Sequence, residues 1–432
     1  MQFPPSAGGL PAVDVEALPE RVRAALERRA RAARAAGTCV DGGYLYLPDV
    51  AALRAAGLRA VLPAWARLCF AVKANSYRPV LQALAGVVDG FEVASEAELA
   101  AARASAPGVG PGGEVESGLV VAAGPGKTVA LLRSLVEHEV DLVNVESVLE
   151  LRRLDAVALA VGRRARVALR VNPRLAAPSG ALTMGGVPSA FGIPEADVPG
   201  ALEVADGLRG VEVAGVHVHA ASGVLDAAAY AGYVRACLAL ATRLLRGRRL
   251  DVVDVGGGIG VPFGGTARPG DEAGDEAGDA AAFDVAAFGE LLAGLRPPAG
   301  ADVVLEPGRY LAADCGWYAA EVTDVKQAYG TSYAVIRGGI NHFQLPASWD
   351  LVHRFAVLPV EDWPPGLPRP AASGDVTVVG ELCTPEDTLA RDVRVARVRA
   401  GDLVVFPLAG AYGWEFAMPG FLGHPPATRA AV

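Results

Sequence analysis

Residues 68–75 read LCFAVKAN. Five apolar residues in succession, 68–72, suit a short strand buried on both faces, and Lys73 and Asn75 follow at its C-terminal end. Working outward, the same pattern recurs at 91–93, 119–122, 142–145, 167–171, 213–218, 252–255 and 303–305. Each run is brief, largely β-branched and nearly free of charge. Segments of helical period lie between them, among them 96–105, 128–138, 147–157 and 227–245. Eight such strands with intervening helices predict a (β/α)8 barrel of the TIM type. The competing arrangement is a doubly wound open sheet. The polar motifs favour the barrel, because they fall one after another at strand C-terminal ends. Lys73 and Asn75 follow the first strand, Ser95 the second and residues 124–127 the third. Asn144 and Glu146 end the fourth, and Asn172 and Arg174 follow the fifth. His217, His219 and Ser222 belong to the sixth, residues 256–258 to the seventh and residues 306–309 to the eighth. In a barrel these loops converge on the rim where barrel enzymes carry their chemistry.

Beyond residue 317 the helical period gives way to alternating runs at 318–325, 333–337, 376–379, 393–398 and 403–407, the pattern of a β-sandwich or small barrel. The expected organisation is an N-terminal helical segment (1–40), a strand-bearing stretch (41–60) that joins the β domain, the barrel (61–316) and a mostly β C-terminal domain (317–432). Residues 264–282, GGTARPGDEAGDEAGDAAA, are acidic and low in complexity and read as a disordered insertion.

The 432 residues are 52% hydrophobic and 20% charged, with a net charge of −9, which argues against a nucleic-acid binder. No uncharged apolar run reaches the length of a membrane span, and the N-terminus lacks the basic start and apolar core of a secretory signal. The basic stretch 21–34 contains Glu27 and follows Glu20, so it reads as a solvated helix instead of a transit peptide. Five scattered cysteines, none in CxxC spacing, point to free thiols in a reducing cytoplasm.

Only three of the 39 basic residues are lysines: Lys73, Lys127 and Lys326. A retained lysine is a candidate for chemistry that arginine cannot perform, since an amine can lose its proton and form an imine. Lys73, at the mouth of the first strand, is placed for that; alternatively it marks the strand's exit to solvent. Lys127, in GPGKT, fails the phosphate-loop test because Val121 stands where the first glycine belongs. Lys326, in the β region, reads as a surface residue. DVGGGIGVPF (254–263) also fails as a dinucleotide fingerprint, yet Gly257 and Gly258 expose backbone N–H groups to an anion. LEPGRYL (305–311) supplies Arg309, which suits a phosphate, and Glu306, which at a buried strand end needs a partner such as a protonated ring nitrogen or Arg309 itself. VHVHAASG (216–223) places His217 and His219 on one strand face, as a metal pair lacking a third ligand, as rings stacked on a flat cofactor, or as core histidines. An imine-competent lysine, a phosphate cradle, a buried glutamate and a stacking histidine together describe a pyridoxal 5′-phosphate (PLP) site.

Taken in order, AVKAN, HVHAASG, DVGGGIG, EPGR, GELCTPEDTLA and GAYG resemble the fold type III PLP-dependent decarboxylases, which include the diaminopimelate and ornithine decarboxylases. The resemblance spans about residues 40–425. It implies that Lys73 holds PLP as an imine, that His219 stacks on the pyridine ring and that Glu306 keeps the ring nitrogen protonated. Ser222, Gly257, Gly258 and Arg309, with Tyr412, would bind the phosphate. Cys383, from the second subunit of a homodimer, would protonate Cα after carbon dioxide leaves. Asp387 and Thr384, with Arg309 and Arg174, would lie on the substrate side. The resemblance implies no metal.

The departures from that family bear on substrate. The acidic residue that follows the catalytic cysteine in the diaminopimelate and ornithine enzymes is here Thr384. Ala190 replaces a basic residue, Ala221 a glycine and Glu92 an aspartate, and FLGHPPATRA replaces an asparagine-containing ending. The pattern resembles the branch that serves siderophore and other natural-product pathways, whose substrates are amino acids joined to citrate or to a carrier protein. Arg174, Arg78, Arg337 and His342 are then candidates for a distal carboxylate. The alternatives are a diaminopimelate- or ornithine-type enzyme, a racemase of the same fold type and a non-catalytic homologue that binds a partner protein. A racemase would place arginine at the ring nitrogen, so Glu306 and Cys383 favour decarboxylation.

Overall fold

A computed structural model describes residues 3–105, 118–174, 182–183, 185–263 and 282–432. The described residues divide into two compact units, one drawn from 51–261 and 282–311, the other from 3–50, 262–263 and 312–432.

The first unit is a closed barrel of eight parallel strands: Ala66–Ala71, Gly90–Val93, Leu119–Ala122, Leu142–Val145, Ala165–Asn172, Val211–His217, Val252–Asp254 and Asp302–Leu305. Each pairs with its sequence neighbours. The eighth returns to the first in the register Val303↔Ala66 and Leu305↔Leu68. That pairing excludes the open doubly wound sheet, which would leave these strands as edges. Apolar sequence explains the strands. The barrel interior is packed by Cys69, Val121, Leu142, Ala168, Ala214, Val252 and Val304, all buried. The helices begin and end on local chemistry. Ser147 caps Val148–Val161 by accepting from the Glu150 N–H, and Gly162, at φ +76°, ends it in the left-handed conformation. Asp226 caps Ala227–Leu244 through the Ala228 and Ala229 N–H groups.

The second unit is built on the long strand Gly316–Ala328, which pairs antiparallel with Gly43–Tyr46, Thr331–Ile336 and Leu403–Phe406. Gly43–Tyr46 also pairs in parallel with Thr428–Ala431, a strand that alternation did not mark. Residues 48–61, read from sequence as part of a strand-bearing stretch, form a helix after Leu47. Ala356–Leu358 adds beside Leu403–Phe406, and Ala371–Val379 and Thr388–Arg399 extend the other side, longer than their apolar runs because hydrogen bonding continues through polar residues. The N-terminal helix Glu20–Ala35 is not solvated all round. Val22, Ala25, Leu26 and Ala30, spaced by three and four, pack on Leu45, Trp317, Leu403 and Val405. Arg34 leaves its solvent face to pair with buried Glu321 at 2.8 Å. The acidic stretch 264–282 lies, except for Ala282, outside the described residues. No described helix is long and apolar enough to cross a membrane.

His353 sits among Phe263, Phe343 and Phe406, with Nε2 donating to the Pro407 carbonyl at 2.6 Å. Burial pulls its pKa down to about 4. The unfolded chain, with a histidine pKa of about 6.5, therefore binds more protons in that window, and stability is lost as pH falls through it. We expect this group to remove about 2 kcal/mol of stability by about pH 5, and His353→Phe to lack that increment. Urea denaturation of both proteins at neutral and acid pH measures the difference.

Candidate active site

The C-terminal rim of the barrel gathers acidic and basic side chains that sequence alone could not pair. Lys73, in the single 3-10 turn after the first strand, donates from Nζ to Glu92 Oε2 at 2.6 Å. Glu92 is buried, whereas the Lys73 side chain keeps 42% of its surface exposed. Arg170 pairs with Glu146 at 2.7 Å, and Glu146 also accepts from the Gly124 and Gly192 N–H groups. Lys127 is spent elsewhere. Its ammonium donates to the Gly124 carbonyl (2.8 Å), the Asn144 carbonyl (2.7 Å) and Glu150 (2.7 Å), which uses all three of its protons. Lys73 is thus the rim lysine with an accessible amine.

Glu306 and Asp254 close the floor of the site. With His217 they form a buried group whose nitrogen and oxygen atoms lie within 4.8 Å of one another. The Asp254 carboxylate accepts from Asn144 Nδ2 at 2.8 Å and from the Gly256 N–H at 2.9 Å. Glu306 does not pair with Arg309 among the described residues. Its nearest basic group is His217, with Nε2 3.9 Å from Oε2. His217 provides no charge there, because burial holds its pKa well below the usual histidine value. The acids around it are therefore unbalanced. Glu92, Glu146 and Glu150 each pair with a cation, while Asp254 and Glu306 form no ion pair with a lysine or arginine among the described residues. Burial raises Asp254 to about 6, and burial together with Asp254 raises Glu306 well above the carboxylate range. Glu306 Oε1 is buried without a hydrogen-bond partner among the described residues.

His219 lies one turn of strand period from His217, the two rings stacked at 6.5 Å with 18° between their planes. Burial, then Lys73, keep it neutral. Gly256, at φ +68°, lies against its edge, and a Cβ there would overlap the imidazole. The glycine turn continues with its carbonyls facing away. Those of Gly256 and Gly257 face the Tyr230 hydroxyl at 3.4 and 2.9 Å, and that of Gly258 accepts from the Val224 N–H at 2.9 Å. Among the described residues nothing accepts from the Gly257 or Gly258 N–H. Gly258, at φ +135°, has no room for a side chain, since its Cβ would lie 2.8 Å from the Ala221 carbonyl. Ser222 pairs through its short strand with residues 182–183, and Arg309 is buried at the start of the turn Arg309–Ala312. Arg174 is exposed after the fifth strand, its N–H donating to Glu195 at 2.8 Å.

These features fit the cofactor that the sequence suggested. A protonated ring nitrogen would supply Glu306 with both a missing donor and a missing positive charge, and the Gly257 and Gly258 N–H groups are open to a phosphate. Residues 53–313 match the family model described as the pyridoxal-dependent decarboxylase, pyridoxal binding domain. The chain belongs to the pyridoxal-dependent decarboxylases. It is 34% identical to 2-[(L-alanin-3-ylcarbamoyl)methyl]-2-hydroxybutanedioate decarboxylase of Staphylococcus aureus, over 84% of this chain and 87% of that one. It is 31% identical to L-glutamyl-[BtrI acyl-carrier protein] decarboxylase of Niallia circulans, over 78% and 76%. The fold matches the crystal structure of Helicobacter pylori diaminopimelate decarboxylase complexed with L-lysine, with a TM-score of 0.74 and 24% identity over 90% and 91% of the two chains. This decarboxylase is a PLP-dependent carboxy-lyase that acts on amino acids.

The remaining expected residues belong to the other unit. Cys383 is exposed on the turn that follows Leu382. Thr384 gives its hydroxyl to Glu386. Asp387 is buried and accepts from two backbone N–H groups, those of Ile340 and Leu382. Tyr412 adopts φ +67° and meets Trp349 edge to face at 5.2 Å. Of the groups proposed to receive a distal carboxylate, Arg337 is occupied by Glu381 and Asp41, and His342 by the Pro425 carbonyl. Sequence reading did not pair Glu92 with Lys73, Arg170 with Glu146 or Asp254 with Glu306. A partial signal existed, because Asp254 heads the glycine motif and Arg170 shares the face of Asn172 by the period of two.

The structure makes Lys127 a support and Lys73 the reactive candidate. Lys127→Met leaves Glu150 buried without a cation and is expected to cost about 3 kcal/mol. Lys127→Met with Glu150→Met should recover most of that loss, as read by chemical denaturation, and both variants should still bind PLP.

Proposed function

We propose that this decarboxylase removes the α-carboxylate of an amino acid whose side chain is conjugated and ends in carboxylate or carrier-linked groups, as in siderophore or other natural-product assembly. The observation that carries this reading is Thr384. The position after Cys383, where an acid would greet a free distal amine, holds a hydroxyl turned toward Glu386. The Staphylococcus aureus and Niallia circulans relatives, named for a citrate-type conjugate and a carrier-bound glutamyl group, support it. Arg78, at the start of the helix Arg78–Ala85, and Arg174, after the fifth strand, are exposed, form no ion pair among the described residues and suit a distal carboxylate.

In this reading Lys73 binds the cofactor covalently, and Glu92, 2.6 Å from Nζ, steadies the ammonium whenever the amine is released. His219 would stack on the ring. Glu306 holds a proton at the ring nitrogen, and Asp254 behind it opposes a second full negative charge. Ser222, Gly257, Gly258, Arg309 and Tyr412 bind the phosphate. Bound PLP supplies the electron sink for the pair left on Cα when carbon dioxide departs. The Cys383 thiol delivers the proton to Cα. Thr384, Arg174 and Arg309 line the substrate side. The five unpaired cysteines suit a reducing cytoplasm.

The test is carbon dioxide release from a citrate-linked L-alanin-3-yl amide, an L-glutamyl carrier protein, diaminopimelate and ornithine. We expect a conjugate to exceed both free diamino acids at least ~100-fold in kcat/KM, a gap of about 2.7 kcal/mol. Diamino acids turned over equally well would overturn the reading. Borohydride reduction of the holoenzyme should label Lys73 alone, and Lys73→Ala should abolish turnover.

A homodimer in which Cys383 serves the partner's barrel is part of this proposal. Cys383 is exposed, and Phe416, Met418, Phe421 and Leu422 present apolar surface on the same unit. Mixed subunits of Lys73→Ala and Cys383→Ala should regain about a quarter of wild-type activity, because one of the two sites in half of the statistical dimers is intact. No recovery after verified subunit exchange would place both residues of a site in one chain.

A further inference from the structure

Asp387 has a placement unlike that of a substrate ligand. Its side chain is 2% exposed. Oδ1 accepts from the Ile340 N–H at 2.7 Å and Oδ2 from the Leu382 N–H at 2.7 Å. Its backbone belongs to the same knot, with the Gly380 N–H donating to the Asp387 carbonyl at 2.9 Å and the Asp387 N–H to the Thr384 carbonyl at 3.2 Å. The Glu381 N–H donates across to the Gly338 carbonyl at 2.8 Å. One carboxylate therefore ties the loop 338–340 to the turn 380–387. The sequence leaves it room. A Cβ at Gly339 or Gly380 would overlap the carboxylate, and Gly338, at φ +122°, holds a conformation that other residues resist.

Charged neighbours do not account for the arrangement. Glu381 is turned to Arg337, which also holds Asp41, and His424 lies 3.7 Å from Glu381. The carboxylate is held by peptide N–H groups, whose directions are fixed, so it sets the orientation of both peptides. The peptide that it fixes on one side is Leu382, and the next residue is Cys383.

We propose that Asp387 is a positioning residue that fixes the direction of Cys383 by clamping the Leu382 amide to the loop 338–340, and that it does not contact substrate. The part of the proposal that concerns turnover rests on the reading of Cys383 as proton donor; the clamp itself does not. Asp387→Ala removes both acceptors, and Asp387→Asn keeps one.

Two measurements on the full-length holoenzyme test it. The first is alkylation of Cys383 by iodoacetamide, followed by peptide mapping, with exposed Cys39 as internal control. The expected result is a change of at least ~5-fold at Cys383 in Asp387→Ala, a smaller change in Asp387→Asn and none at Cys39. The second is steady-state kinetics with the best substrate found. The expected result is a fall in kcat with KM within ~2-fold of wild type, and no further fall when Asp387→Ala is added to Cys383→Ala. A raised KM with unchanged Cys383 alkylation would return Asp387 to the substrate and overturn the proposal. Should Asp387→Ala not fold, Asp387→Asn alone decides by the same two readings. Altered alkylation without any carbon dioxide release from any substrate would leave the clamp standing and reject the decarboxylation reading of the donor.

Discussion

The pairing of Leu305 with Leu68 joins the last barrel strand to the first, and the rest of the site follows from it. An open sheet would place these strands at opposite edges, each with a row of unused backbone groups. Closure turns them into neighbours and brings Lys73, two residues beyond the first strand, to the same rim as Glu306, one residue beyond the eighth strand. All strands run the same way, so every loop that bears a polar group opens on that rim. The packed interior of small and branched side chains holds the loops on a rigid base.

On this rim electrostatics is organised by local neutrality. Three buried or half-buried cations, Lys73, Lys127 and Arg170, each take one carboxylate. Two further carboxyl groups, Asp254 and Glu306, are buried together without a lysine or arginine ion pair among the described residues, and both are pushed toward the protonated form. Such an arrangement is unfavourable alone and becomes favourable when a cationic ring nitrogen is delivered to it. The neutral histidines add no competing charge, and the flat face of His219 is left for stacking. Glu306 Oε1 is one of several buried rim atoms without a hydrogen-bond partner among the described residues, and in the proposed reading the cofactor's ring nitrogen would complete it.

The second unit contributes by constraint of its backbone. Tyr412 is held at positive φ, and three glycines around Asp387 give way so that a carboxylate can sit between two loops. Strained or side-chain-free positions of this kind are tolerated where the surrounding hydrogen bonds over-determine the geometry. They convert a polar, exposed turn into a defined platform for Cys383.

Much of this was readable in the amino-acid order. The eight apolar runs, each ending in polar residues, specified the strands and the rim, because a buried parallel strand tolerates no charge until it leaves the sheet. The scarcity of lysine singled out Lys73, and the ordered motifs specified the cofactor. Partnership was not readable. Lys73 meets Glu92 from the next strand, Glu306 meets Asp254 from the previous one, and Asp387 meets Ile340 from a loop 47 positions away. Local spacing carries no information about which strand ends adjoin until the sheet closes. Likewise nothing in the motif CTPED distinguishes an aspartate that faces a substrate from one enclosed by backbone amides. The chain's chemistry was set by residue type and order, whereas tertiary packing decided which charges cancel, which remain open and which only hold others in place.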